Sequence, residues 1–405
     1  MTGHVRLRID RPAHGGESIG LLDGRVVLVR GAIPGELVDV VLDDPDAKLL
    51  RGSVAGIEEA SPHRIDGMCD AAAAGAGCCD LDFVDPAHAA VLKGEVVADA
   101  LRRIGRFAPE EVPGIAVTEL SPATGWRTRL RLGVDRRGSA GLRRRRSRDL
   151  VTGVRCAQTV EGLMAGLGDP GTAPAGGELH AVIDADGRRH LLHRAAPERG
   201  VRGRRRRRPA ATVVEGSATA PVEAGGRRFE VAVDGFWQAH VAAADYYVEV
   251  VRSWLPEVPG GRAWDLYGGA GVLAAPLAEL VGGDGGEGSV VSVEASPQAA
   301  VAGRAALPDL PVEFVTARVE DAVGGPADLV VLDPPRTGAG AAVVTAIAAA
   351  GPGHVLHIGC DPATFARDAA AWRDAGYRLT RLEAVDAFPG THHVETLSLF
   401  ERGGR

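Results

Sequence analysis

"WDLYGGAGVLAAPLA" (264–278) passes from an apolar stretch through glycines 268, 269 and 271 into an Ala/Leu-rich segment. The pattern reads as strand, Gly-rich turn and helix. Glycines in such a turn let the backbone approach a ligand closely at the carboxyl edge of an open α/β sheet. The same rhythm recurs downstream. "GSVVSVEAS" (288–296), "ADLVVLDPPR" (327–336) and "GHVLHIGCD" (353–361) are apolar runs with polar, Gly- or Pro-bearing tips, and Ala-rich segments separate them. Strands alternating with helices predict an α/β domain with a largely parallel sheet from residue 231 onward.

The rest of the chain reads differently. Residues 1–58 hold short strands such as Arg25–Val29 and Leu37–Leu42, separated by Asp23-Gly24 and Pro34-Gly35. Turn signals at that spacing predict a small barrel of the OB kind. "HAAVLKGEVVADALRRIGRF" (88–107) predicts an amphipathic helix with Val91, Val96, Ala100 and Ile104 on its apolar side. Residues 120–230 are β-rich, with strands expected in "WRTRLRLGVD" (126–135) and "ELHAVIDADGRRHLLHR" (178–194). Three units result: 1–58, then 59–86 with 116–230, then 87–115 with 231–405.

The chain has 405 residues, 45% hydrophobic and 24% charged, as expected of a globular protein of two or three domains. "MTGHVRLRID" has no apolar core of signal-peptide length, and no stretch approaches the roughly 18 apolar residues of a membrane helix. A cytoplasmic monomer with no membrane partner is the expectation. The net charge of −7 argues against a uniformly basic nucleic-acid binder. Arginines cluster, however, in "LRRRRSR" (142–148) and "RGRRRRR" (202–208), which suit phosphates or form solvated loops. Five cysteines in such a chain point to metal or catalysis rather than disulfides.

Two cofactors compete for the glycine turn. Gly269, Gly271 and Ala274 match G-x-G-x-x-A, which would suit a dinucleotide and an oxidoreductase of the NAD type. Glu294 at the next strand tip suits the ribose hydroxyls of either adenosine cofactor, but Asp265 before the turn and Asp333 in "DPPR" fit S-adenosylmethionine better, because its aminoacyl ammonium welcomes carboxylates. The two prolines after Asp333 fix the backbone and remove N–H donors, and Arg336 follows them.

Cys360 ends another apolar run at the same edge. Methylating nitrogen or oxygen needs no covalent help, whereas carbon 5 of a pyrimidine is a poor nucleophile. A thiolate adding at carbon 6 generates an enolate that activates carbon 5. A base must then remove the carbon 5 proton before the thiol can leave. "AFPGTHHVETLSLF" (387–400) offers Glu395 for that task, with His392 and His393 as alternatives.

"DLYGGAG", "DPPR", "GCDPATFARD" and "FPGTHHVET" resemble, in order and spacing, the S-adenosylmethionine-dependent RNA uridine-5-methyltransferases. The resemblance implies a C-terminal Rossmann-like class I methyltransferase domain, an N-terminal OB-like β-barrel (TRAM) and a β-rich, RNA-binding central domain. It assigns Cys360 as nucleophile and Glu395 as proton-abstracting base. It places Gln238, Tyr267, Gly269, Gly271, Glu294 and Asp333 around the cofactor. His240 in "FWQAH" departs from the family's asparagine, and Gly268 stands where the family often has cysteine. Members of the family hold a four-iron cluster on four central cysteines, a number that Cys69, Cys78, Cys79 and Cys156 supply. A zinc site and unligated thiols are the other readings. The spacing C-x8-C-C departs from the usual C-x5-C-x2-C, so adjacent Cys78 and Cys79 are expected to strain their backbone. The RNA is rRNA or tRNA, with 23S rRNA favoured by the TRAM-like unit. A non-catalytic RNA-binding protein is the remaining alternative, against which the pairing of Cys360 with Glu395 speaks.

Overall fold

Alternation of buried and outward residues builds the N-terminal unit in the computed structural model, which describes residues 3–196, 211–282 and 287–403. All structural counts below are of those residues, and the arginine run at 202–208 lies outside them. Strands β1 (His4–Ala13), β2 (Glu17–Leu22), β3 (Arg25–Arg30), β4 (Leu37–Leu42) and β5 (Leu50–Glu59) close into a barrel in the order β1-β2-β3-β5-β4. Leu7, Ile9, Val27, Val29, Val38 and Val40 point inward with the two-residue period of a pleated strand. Asp23 and Gly24 both have positive φ, the twist that a two-residue hairpin turn demands.

A short helix, α1 (Asp70–Ala73), lies in the cysteine-bearing segment, and α2 (Pro86–Arg103) follows. Proline at the first helical position and the Asp85 carboxylate, which accepts the His88 N–H, start α2. The helix is where the periodicity placed it, but its buried side is not. Val91 and Ile104 face outward, while Ala90, Lys93, Val97 and Leu101 are buried. The lysine in that stripe hid it from a hydrophobicity reading. Its ammonium lies 2.5 Å from Asp386 Oδ1, with the two side chains 3% and 1% exposed, and also donates to the Phe388 carbonyl at 3.2 Å.

After β6 (Ile115–Glu119) come β7 (Arg129–Val134), β8 (Ala140–Arg143), β9 (Leu150–Thr152), β10 (Glu178–Ile183), β11 (Arg189–Arg194) and β12 (Ala211–Glu215). Strands β7 to β12 form an antiparallel sheet ordered β12-β11-β10-β7-β8-β9. The hairpin of β13 (Thr219–Ala224) and β14 (Arg227–Ala232) pairs only with itself.

The remaining elements are α3 (Ala243–Trp254), β15 (Arg262–Leu266), α4 (Ala274–Gly282), β16 (Ser289–Glu294), α5 (Pro297–Ala306), β17 (Val312–Thr316), α6 (Val319–Ala322), β18 (Leu329–Leu332), α7 (Gly340–Ala350), β19 (His354–Gly359), α8 (Pro362–Asp374), β20 (Tyr377–Asp386) and β21 (Glu395–Arg402). Eight strands form one sheet ordered β17-β16-β15-β18-β19-β21-β20-β6. Strands β15 to β19 run parallel, and β21 enters antiparallel between β19 and β20. All four residues of β18 are buried, as expected of a central strand covered on both faces. One apolar cluster packs α3 and α4 on one face, and another packs α2, α7 and α8 on the other. Among the described residues, no helix is long and apolar enough to cross a membrane.

Two sequence-level boundaries fall inside strands. The break at 115/116 cuts β6, which pairs with β20 in the large sheet. The break at 230/231 cuts β14, whose hairpin buries Val222, Ala224, Phe229 and Val231 in the core shared with α3 and α4. Both attachments are to distant segments, and local patterning carries no record of them.

The buried Lys93–Asp386 pair should be costly to break. Lys93→Ala leaves Asp386 buried without its cation and is expected to lower unfolding stability by about 3–5 kcal/mol, read from the denaturant midpoint.

Candidate active site

Register places the site. Leu266 of β15 lies opposite Leu332 of β18, and Leu332 opposite His357 of β19. Tyr267 and Asp333 therefore leave the sheet at one level, with Cys360 two residues further along β19. Gly359 faces Thr396 across the antiparallel pair, so Glu395, at the start of β21, arrives at the edge where Cys360 leaves. These tips open into a cavity of about 590 Å³. Gln238, Tyr267, Gly269, Glu294, Asp333, Cys360 and Glu395 all line it, joined by Trp237, Arg336, Phe388 and His393.

One end of the cavity is acidic and surrounded by glycine backbone. Glu294 accepts the Gly269 N–H at 3.1 Å through one oxygen and the Ser296 N–H at 2.6 Å through the other. Gly269 has φ +56°, and nothing lies within 4 Å of where a Cβ would stand, so the backbone is open to a ligand. Tyr267 has φ 61° without being glycine, a conformation that functional turns often hold. Gly271 differs from its assignment. A Cβ there would lie 2.7 Å from the Phe314 ring, so this glycine serves close packing and does not reach the cavity wall. Asp265 is buried beneath the turn and accepts the Ser292 hydroxyl at 2.9 Å. Burial pushes its carboxyl up to about 7. Asp333 is likewise raised by burial and then by Asp265, and accepts from Gln238 Nε2 at 3.4 Å.

The other end carries the thiol. Cys360 follows β19, and Asp361 caps α8 by accepting the N–H groups of Ala363 at 3.0 Å and Thr364 at 2.9 Å. His14, from the turn between β1 and β2, reaches Asp361 at 3.2 Å and holds its carboxyl below the usual range. Burial pushes the Cys360 thiol up to about 12; Glu395 and Asp333 add to this and Arg336 opposes it. Glu395 is 5% exposed, its Oε2 has no hydrogen-bond partner, and burial raises its pKa well above the ordinary value. A desolvated, unpartnered carboxyl facing a cavity is suited to proton transfer.

The two histidines separate. His393 lines the cavity with Nε2 3.4 Å from Arg336 Nη2, and burial lowers its pKa to about 3, which leaves it neutral. His392 lies outside the lining and turns to Asp80, its Nδ1 2.5 Å from Oδ2. His240 also lies away from the cavity. Its ring stacks on Trp126 and accepts the Ala242 N–H at 3.0 Å.

Away from this cavity, the four central cysteines converge. The sulfurs of Cys69, Cys79 and Cys156 lie within 4.8 Å of one another, and Cys78 Sγ is 3.9 Å from Cys79 Sγ. Gln158 Nε2 donates to Cys79 Sγ at 3.1 Å, and the Ala157 N–H to Cys69 Sγ at 3.5 Å. Hydrogen bonding to Cys156 lowers the Cys78 pKa, and to Cys69 lowers that of Cys156. Neither Cys78 nor Cys79 has positive φ. The turn between α1 and Asp80 brings both sulfurs to one side. Gln158, Asp80, His14 and Lys93 are contacts that sequence reasoning missed. Only Lys93 left a signal, as a lone lysine in an apolar stripe.

A small barrel in front of a parallel sheet, with a glycine turn, acidic tips and a thiol at the carboxyl edge, defines a methyltransferase architecture. A family model described as tRNA (uracil-5-)-methyltransferase matches residues 326–403, and a TRAM-domain model matches residues 4–55. An uncharacterized RNA methyltransferase of Corynebacterium glutamicum is 44% identical over 409 residues, covering 98% of this chain and 97% of the relative. The 23S rRNA (uracil(1939)-C(5))-methyltransferase of Pseudomonas entomophila is 29% identical, covering 98% of this chain and 94% of the relative. In fold, the chain is similar to the crystal structure of Pyrococcus abyssi tRNA (uracil-54, C5)-methyltransferase in complex with S-adenosyl-L-homocysteine, with a TM-score of 0.69, 18% identity and 97% and 99% of the two chains covered. The chain belongs to the RNA (uracil-5-)-methyltransferase family.

The raised carboxyls make stability depend on pH. A folded pKa of about 7 at Asp265, against an ordinary value of 3.8, means that its contribution is full below 3.8 and is lost as pH rises through 7. The melting temperature of the free protein should fall between pH 5 and 7.5 (roughly the upper part of that window). Asp265→Asn should flatten this slope in melts across the pH series.

Proposed function

We propose that this protein transfers a methyl group from S-adenosylmethionine to carbon 5 of a uridine in structured RNA, with 23S rRNA the favoured substrate, through a covalent Cys360 adduct. The observation that carries this reading is the meeting of Cys360 and the unpartnered Glu395 in one cavity with the glycine turn and its acidic tips. S-adenosylmethionine, when bound, supplies an activated methyl group and a positive charge. Gln238, Tyr267, Gly269, Glu294 and Asp333 would hold it, and the buried carboxylates suit a cation far better than a pyrophosphate. Gly271 would support the turn from behind.

The target uridine leaves its stack to enter the cavity, as base-modifying chemistry requires. Cys360 Sγ gives up its proton and bonds to carbon 6. The carbon 5–carbon 6 electron pair then moves toward the oxygen on carbon 4. Arg336 favours the thiolate electrostatically. Carbon 5 would take the methyl group as the sulfonium S–CH3 bond breaks, its electron pair staying on the sulfur of the departing S-adenosylhomocysteine, and Glu395 removes the proton that remains on carbon 5. The released electron pair re-forms the double bond as the carbon–sulfur bond breaks. The net change is hydrogen for methyl, with one proton released. The TRAM barrel and the arginines at 142–148 would grip phosphates.

For the cysteines, we propose that Cys69, Cys78, Cys79 and Cys156 hold a four-iron cluster. Four converging sulfurs with N–H groups donating to two of them support that reading. Bound there, the cluster would tie the Cys69–Cys79 segment to the Cys156 loop.

Cys360→Ala should abolish methylation while S-adenosylmethionine affinity stays within about twofold, measured by calorimetry. Glu395→Gln should slow turnover by about 10²–10⁴-fold and accumulate a covalent RNA–protein complex on denaturing gels. Mapping 5-methyluridine in RNA from a deletion strain decides between 23S rRNA and tRNA. Anaerobically purified protein should be coloured and contain about four iron and four sulfide per chain. A colourless protein with one zinc would replace the cluster by a mononuclear site.

A further inference from the structure

Glu395 accepts no hydrogen bond that would aim its buried Oε2, so its direction is set by its backbone, which pairs with Val385 of β20 on one side and is led in by the 390–394 segment on the other. That backbone is gripped from outside the α/β domain. The Asp80 carboxylate accepts the His392 backbone N–H at 2.8 Å and faces the His392 ring at 2.5 Å. The Leu81 N–H donates to the Gly390 carbonyl at 3.1 Å. Asp80 is 9% exposed at its side chain and lies beneath Gly16, where a Cβ would come within 2.9 Å of the Asp80 carboxyl and 3.2 Å of His392 Cβ. The barrel turn thus closes over the grip. Between His392 and Glu395 stand only His393 and the buried Val394, too short a path to absorb a displacement. Cys360 is held by β19 and by the Asp361 cap of α8, which the barrel turn reaches through His14 rather than through Asp80.

We propose that Asp80 is a positioning residue for the base. Through His392 it sets the aim of Glu395 and leaves that of Cys360 untouched. The inference rests on the proposed roles of Cys360 and Glu395. It has a signature that a general structural role would not give: loss of Asp80 slows departure of the covalent adduct without slowing its formation.

The experiment follows both rates. Full-length enzyme, S-adenosylmethionine and total RNA from a deletion strain are mixed, quenched over time, trimmed with nuclease and run on denaturing gels. Asp80→Ala should form the complex within about threefold of the parent rate and release it about 10–100-fold more slowly. Asp80→Asn, which keeps an acceptor for the His392 N–H, should recover most of the release rate. Melting temperature and metal content establish that the variants are folded; should Asp80→Ala not fold, Asp80→Ser, whose shorter side chain cannot span both the His392 N–H and ring, is read in the same way. Unchanged release, or formation and release slowed alike, overturns the proposal. If Glu395→Gln itself accumulates no complex, the assignment of the base fails. If Glu395→Gln accumulates it and Asp80→Ala does not, the role of Asp80 alone fails.

Discussion

The register between β15, β18 and β19 is the constraint on which the site depends. Because Leu266, Leu332 and His357 align across three strands, the chain leaves the sheet at a common edge three times, and each exit carries a polar group. One slip in pairing would turn the tips toward opposite faces. The antiparallel insertion of β21 completes the set, since a strand that begins where its neighbour ends adds its first residue to that edge. Buried Val and Leu on both faces hold this register, so the chemistry is held by apolar packing rather than by polar contacts among its own members.

The cavity that results is lined by buried carboxyls, with Arg336 the one Lys or Arg among its lining residues. Asp265, Asp333, Glu395 and Cys360 all hold their protons more tightly than they would in water, with burial the leading cause for each. Arg336 is the cation that opposes this at Cys360 and Glu395. Such a site suits a ligand that brings positive charge with it.

Much of this was legible in the sequence. Apolar runs with Gly, Asp-Pro-Pro and Gly-Cys tips named the strand ends, and the positions they named share one cavity, apart from Gly271 and from Asp265 beneath the turn. A glycine that admits a ligand and a glycine that admits a phenyl ring look alike in a motif. Phe314, on β17 two strands away, tells them apart. The apolar side of α2 was misread because its buried stripe includes a lysine whose partner lies 293 residues away. The grip of Asp80 on His392 spans 312 residues and is made by two polar side chains in irregular segments, where no periodicity exists to be read.

Strand β6 has a consequence for how the molecule is made. It borders β20, and Thr118 contacts Glu383 across a separation of 265 residues. A ribosome releases α2 and β6 long before their partners exist. The barrel and the central sheet can close as they emerge, but these early segments must wait until residues 377–402 have been made. Strands β20 and β21 are therefore the ones that bring in the earliest part of the large sheet.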